Sequence, residues 1–202
     1  MYHSQIGQDK IIDEFFNYKE NGTFIDVGAN DGILLSNTYF FEKIRNWKGI
    51  CIEPRLKEYE KLKQNRNCEC YNVAISNYDG IGDFYDITGY PEMLSGLVQN
   101  YEQLHLNRAH DEGGNIKTIQ VNVNTLQSVI DRHKLYNVDY CSIDTEGSEF
   151  EIIKSIDFSK TNVVVFSIEN NYKNCSIQSY LSSFGYTKFI ELEFEDIYVK
   201  SR

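Results

Sequence analysis

The sequence predicts an α/β domain, a mostly parallel sheet with helices on both faces, and two observations carry that reading. First, the apolar run Phe24-Ile-Asp-Val27 breaks into the turn Gly28-Ala-Asn-Asp-Gly32 and then into a helical pattern. Strand, glycine turn and helix form the opening unit of nucleotide-binding sheets. Second, apolar runs at Gly49–Glu53, Cys70–Ile75, Val138–Ile143 and Val163–Ile168 alternate with amphipathic stretches. That βαβ rhythm with short connections builds a parallel sheet.

Taken in order, Asp9–Tyr18 places Ile11, Ile12, Phe15 and Phe16 on one helical face, and Asn21-Gly22 ends that helix. Strand one is Phe24–Val27. A second helix is expected from Leu34 and Leu35 through Phe40, Phe41 and Ile44, with Ser36-Asn37-Thr38 near its start. Pro54 closes strand two, and a helix follows from Arg55 to about Asn65. After strand three, Cys70–Ile75, the rhythm breaks. Gly82–Ile87 and Lys117–Val123 alternate like half-exposed strands and are expected to pair antiparallel, an inserted hairpin around 81–123. Between them Thr88–Asn115 is polar and without clear periodicity, and it reads as a lid that binds the acceptor. A disordered surface loop is the competing reading. The rhythm then resumes with helix Thr125–His133, strand Val138–Ile143, helix Ser148–Ile156, strand Val163–Ile168 and helix Ser176–Phe184, which ends at Gly185. Two strands joined tightly, Lys188–Phe194 and Asp196–Lys200, close the chain.

With 202 residues, one domain spanning 1–202 is expected. A net charge of −10 argues against nucleic acid and against an anionic membrane surface as partners, because phosphate contacts need clustered Lys and Arg. No apolar run spans a bilayer and the N-terminus shows no signal-peptide pattern. The five cysteines are odd in number and lack a C-x-x-C pair, so they read as reduced thiols in a cytoplasmic protein. Cys68-Glu-Cys70 lacks the second ligand pair that a structural metal site needs.

Polar residues cluster where the predicted strands end, which is where open α/β sheets bind ligands. Asp26 and the Gly28–Gly32 turn suit a ligand with an amino-acid head, the acid facing an ammonium and the turn a carboxylate. S-adenosylmethionine is such a ligand. The turn lacks G-x-G-x-x-G spacing, which counts against a nicotinamide dehydrogenase. Glu53 can accept hydrogen bonds from ribose hydroxyls, and Ala74-Ile75 can flank an adenine. Asp144 and Glu146 follow strand four, and Glu169-Asn170-Asn171 follows strand five. Acids so placed can serve as a general base or hold a divalent cation. Glu149 and Glu151 fall in the first turn of a helix, where acids favour the macrodipole.

With these motifs in order, the chain resembles the FkbM family of S-adenosylmethionine-dependent methyltransferases. The carriers are Ser4–Asp9, Phe24–Gly32, Ser36–Glu42, Trp47/Gly49/Glu53/Pro54, Asn72–Ser76 and, above all, Asp139–Glu149. The resemblance implies a Rossmann-like class I methyltransferase, α/β, with a seven-stranded, mostly parallel sheet in which the terminal hairpin inserts one antiparallel strand. It implies O-methylation of a hydroxyl on a sugar, glycan or related small molecule. It carries cofactor contacts onto Asp26, Gly28, Asn30, Asp31, Gly32, Asn37, Glu53 and Pro54, with Gln8 and Asp9 closing over the same pocket. No His stands at a strand end, so the base is expected to be a carboxylate, Asp144 first and Glu146 second. Asp144 with Glu169-Asn170 stands where enzymes similar to catechol O-methyltransferase bind Mg²⁺, so Mg²⁺ is a further expectation. His105, Arg108 and His110 are candidates for positioning the acceptor. The alternatives are methylation of protein or RNA, or a non-catalytic module that binds S-adenosylmethionine.

Overall fold

The computed structural model describes residues 1–201. Among the described residues, eleven strands and seven α-helices alternate. The first half of the main sheet is built from β1 (Thr23–Val27), β2 (Lys48–Ile52) and β3 (Glu69–Tyr71). The second half holds β8 (Asn137–Ile143), β9 (Asn162–Glu169), β10 (Tyr186–Glu191) and β11 (Glu195–Lys200). Their spatial order is β10-β11-β9-β8-β1-β2-β3. Every neighbouring pair is parallel except those made by β11, which runs antiparallel to both β9 and β10. The strand order reverses between β1, which pairs β2, and β8, which pairs β9, and the crevice for a ligand opens there.

Both faces of this sheet are covered, which is why its central strands read as continuous apolar runs. On one face Ile25, Val27, Ile50, Ile52, Cys141 and Ile143 pack against α5 (Leu126–His133), α6 (Glu149–Lys154) and α7 (Cys175–Ser183). On the other, Phe24, Cys51 and Tyr140 pack against Ile12 of α1 (Gln8–Phe15), Phe41 of α2 (Tyr39–Ile44) and Leu62 of α3 (Leu56–Asn65). Among the described residues, no helix is long and apolar enough to cross a membrane.

Three local expectations change. The second helix begins at Tyr39, not at Leu34. Leu34 and Leu35 lie in the preceding turn, and Asp31 Oδ1 accepts the Ile33 and Leu34 N–H groups there. The expected strand Cys70–Ile75 is two strands, β3 and β4 (Ala74–Ser76). Asn72 breaks it by donating its side-chain amide to the carbonyls of Glu53 (2.9 Å) and Pro54 (2.8 Å). Chain that leaves β3 thereby enters a second sheet of order β4-β7-β5-β6. Its long antiparallel pair, β5 (Gly80–Thr88) with β7 (Asn115–Thr125), is the expected hairpin with extended ends.

The third change concerns 88–115, which is ordered. It carries a 3₁₀ turn at Glu92–Leu94, the short strand β6 (Gly96–Leu97) and the helix α4 (Gln103–Asp111). Ile87, Leu94 and Ala109 bury one another beneath this segment, with Tyr85, Tyr101 and Ile116 packed around them. A periodicity search misses it because the apolar contacts come from separated residues rather than from one helix face.

Candidate functional site

The cleft lies at the C-terminal ends of β1, β2, β8 and β9, with a volume of about 1000 Å³ including its open mouth. Its walls hold Gln8, Asp26, Gly28, Asn30, Asn37, Glu53, Pro54, Asp144, Glu146 and Glu169. An apolar slot of about 260 Å³ adjoins it through Gly28, Pro54 and Thr145, and Ala74 and Ile75 line that slot.

Gly28 has φ +88°, and a Cβ there would lie 1.7 Å from the backbone oxygen of Asp144. Its glycine is therefore demanded by the close approach of the β1 turn to the end of β8, not by room for a ligand. Asn30, also left-handed at φ 48°, turns its N–H onto Glu53 Oε2 at 3.0 Å. Glu53 Oε1 accepts the Arg55 N–H at 2.8 Å. Burial outweighs these two donors and raises the Glu53 pKa to about 7.

Asp26 lines the cleft, yet Thr38 Oγ1 donates to it at 2.5 Å and Arg66 Nη1 stands 3.8 Å away. The arginine, 4% exposed, also bonds Glu42, the Thr38 and Ser36 hydroxyls and the Gly32 carbonyl. Nothing in the sequence signals this link, because Arg66 ends a helix far along the chain from Asp26. Asn37 donates to Ser142 Oγ at 3.0 Å and leaves its buried Oδ1 without a donor. Gln8 donates to Glu195, a second buried acid that sequence reasoning missed. Asp9 instead accepts the His3 and Ser4 N–H groups and ties down the N-terminal loop. Neither Asp31 nor Gly32 lines the cleft. Asp31 caps its own turn, and Gly32 packs against Leu62 and Arg66.

Across the cleft, one carboxylate oxygen each from Asp144, Glu146 and Glu169 lie within 4.8 Å of one another. Solvent reaches Asp144 through the mouth. The desolvating walls, then Glu149 and Asp26, raise its pKa to about 7. Burial, and then the neighbouring carboxylates, push Glu146 and Glu169 well above the usual range. Glu146 is left-handed at φ 58° and its N–H donates to Glu169 Oε2 at 3.2 Å. A non-glycine residue held there is a local cost that clusters at functional sites. Glu149 accepts the Thr145 and Gly147 N–H groups and so holds the loop, as its place at a helix start suggested.

Asn170 turns away from this trio. It donates to Asp196 Oδ2 at 2.8 Å and accepts the Asn174 N–H, so Glu146 occupies the third position that the sequence assigned to Asn170. Oxygen donors of this kind suit a hard divalent cation. His105, 4% exposed, reaches the cluster from α4, with Nε2 3.1 Å from Glu146 Oε2. It lines a second cavity together with Glu102, Phe150, Glu169, Asn171 and Tyr172. Arg108 and His110 do not join it. Both are exposed, and Arg108 pairs with Glu112 at 2.7 Å.

The strand order, the glycine turn and the acids at the strand ends define a class I methyltransferase fold. The Methyltransferase FkbM domain family matches residues 26–195, and the chain belongs to that family. Membership implies S-adenosylmethionine as methyl donor. No curated protein matches the chain. Among solved structures, methyltransferase FkbM from Methylobacillus flagellatus KT is similar at 13% identity and a TM-score of 0.51. The alignment covers 89% of this chain and 43% of that one, so the present chain spans under half the length of that relative. The N-terminal domain of human METTL16 aligns at 12% identity and TM-score 0.50, over 95% of this chain and 67% of that one. Precorrin-6y C5,15-methyltransferase from Geobacter metallireducens GS-15 aligns at 10% identity and TM-score 0.47, over 95% and 88%.

Proposed function

We propose that the chain transfers the methyl group of S-adenosylmethionine to a hydroxyl of a sugar, glycan or related small molecule. The observation that carries this reading is the acidic lining of the cleft. Asp26, Glu53, Asp144, Glu146 and Glu169 line it; among the described residues no lysine does, and the one arginine, Arg55, is held by Asp86 and by the Glu92 and Ile87 carbonyls. A sulfonium donor with an ammonium group fits such walls, and a polyanionic acceptor such as RNA does not.

In this reading Glu53 meets the ribose hydroxyls, and the slot at Pro54, Ala74 and Ile75 takes the adenine. Gln8, Asn30 and Asn37 flank the amino-acid head. The donor supplies an already electrophilic methyl. The protein's part is to hold the acceptor oxygen in line and to take its proton. Asp144, its pKa raised to about 7, is the base, with Glu146 beside it as the second candidate. The acceptor approaches from the second cavity, and 88–115 acts as its lid, with His105 as its contact to Glu146. Asp144, Glu146 and Glu169 are also the residues that would hold Mg²⁺, which would lower the pKa of a bound hydroxyl.

Calorimetric titration with S-adenosylmethionine, with and without Mg²⁺, tests the reading on wild type, Glu53→Gln and Asp144→Asn. Binding by wild type and by Asp144→Asn, weakened in Glu53→Gln, upholds it. No binding by folded wild type under either condition removes the cofactor assignment.

A further inference from the structure

Three thiols outside the cleft meet at the junction of β2 and β3. Cys51 Sγ and Cys68 Sγ are 3.5 Å apart, and Cys70 Sγ lies 3.5 Å from the Cys68 carbonyl. Cys51 is fully buried, whereas Cys68 and Cys70 are partly open to solvent. Cys51 is in register with Cys70 on the neighbouring strand. Cys68 precedes β3, so the ladder does not fix its backbone. Arg66 and Glu42 face Cys68, and Arg66 and Asp26 face Cys51. Hydrogen bonds from Cys51 and Cys70, and then Arg66, favour the thiolate at Cys68, while burial keeps Cys51 a thiol.

We propose that Cys51 and Cys68 form an oxidisable pair, a disulfide site in which Cys68 reacts with a small aliphatic disulfide and Cys51 resolves the product. Cys68 Sγ attacks one sulfur of oxidised glutathione, forming a mixed disulfide and expelling one glutathione thiolate, which takes up a proton. Cys51 then loses its proton and attacks Cys68 Sγ, expelling the second glutathione. Counted from the dithiol, the protein loses two protons and two electrons, and the oxidant becomes two thiols. Only the half-buried Cys68 has to meet the reagent. The second step is internal, and closing the gap to a bond of about 2.05 Å needs a shift of roughly 1.5 Å shared by the two side chains. The bond would also remove the Cys68 thiolate from beside Arg66, the residue that holds Thr38 and Asp26 at the cleft.

The experiment is incubation of the folded wild-type protein with oxidised glutathione, read by intact mass and peptide mapping. The expected result is loss of two hydrogens, a cross-link between Cys51 and Cys68, and reversal by dithiothreitol. In Cys51→Ser the reaction should stop at a glutathione adduct on Cys68. A map that shows Cys51–Cys70 or Cys68–Cys70, or no reaction in folded protein under conditions where unfolded protein reacts, overturns the proposal. Coupling to the cleft rests on the cofactor reading above. The cross-linked protein should bind S-adenosylmethionine severalfold more weakly, with reductant restoring the affinity. Unchanged affinity in fully cross-linked protein overturns the coupling and leaves the bond itself standing.

Discussion

Nε2 of His105 stands 3.1 Å from Oε2 of Glu146, so the segment inserted after β5 meets the carboxylate cluster through one buried polar pair. Burial and the Arg108 charge lower the His105 pKa, while burial and Asp144 raise that of Glu146. The two shifts favour neutral imidazole facing a protonated carboxyl. His105→Ala should leave donor affinity intact and cut turnover of the acceptor roughly 100-fold. It should also shift the acidic limb of the pH–rate profile, and His105→Gln should restore part of the rate. A drop in donor affinity with no change in the pH profile would assign His105 a purely structural role.

Gly28→Ala should destabilise the fold by about 3 kcal/mol. The added Cβ would sit 1.7 Å from the Asp144 backbone oxygen, at a φ of +88° that side chains rarely adopt. Urea denaturation followed by circular dichroism measures this. A loss under about 1 kcal/mol would show that the β1 turn and the end of β8 can move apart.

Arg66→Met should cost roughly 3–5 kcal/mol, because it leaves Glu42 and Asp26 buried without their cation. Pairing it with Glu42→Gln should recover part of that loss. A double-mutant cycle with no coupling would show that the pair is not electrostatically linked.

Stability of the free protein should fall as pH rises from 5 to 8. Burial raises Glu53 to about 7, and burial with Asp144 raises Glu195 to about 8, both above an unfolded value of about 4.3. The folded state thus binds more protons across this window, which makes the slope of unfolding free energy against pH negative. That stability is fully present below the unfolded pKa and is lost through the folded ones. Scanning fluorimetry should show Tm falling by roughly 5 °C or more. In Glu195→Gln the fall should shrink, since one of the two raised carboxyls is gone.

The parts of the site that sequence reasoning reached are those encoded locally. Asp26 sits within an apolar run, Asn30, Glu53, Asp144, Glu146 and Glu169 each follow one, and strand ends in a parallel sheet converge on one crevice. What it misjudged were side-chain directions. Asp31, Asn170 and Arg108 are turned elsewhere by local hydrogen bonds, and His110 is exposed on α4. The break at Asn72 escaped notice because its cause is two carbonyls on another loop.

By itself the sequence determined the α/β class, the order of most strands and helices along the chain, and which acids reach the strand ends. Periodicity and turn chemistry are short-range, so they survive in one dimension. Only the tertiary structure decided that Arg66 stands beside Asp26, that His105 touches Glu146 and that Cys68 touches Cys51. Each of these contacts joins residues whose separation along the chain holds no trace of their meeting. Packing of the sheet and its covering segments, rather than local preference, brings them within a few ångströms.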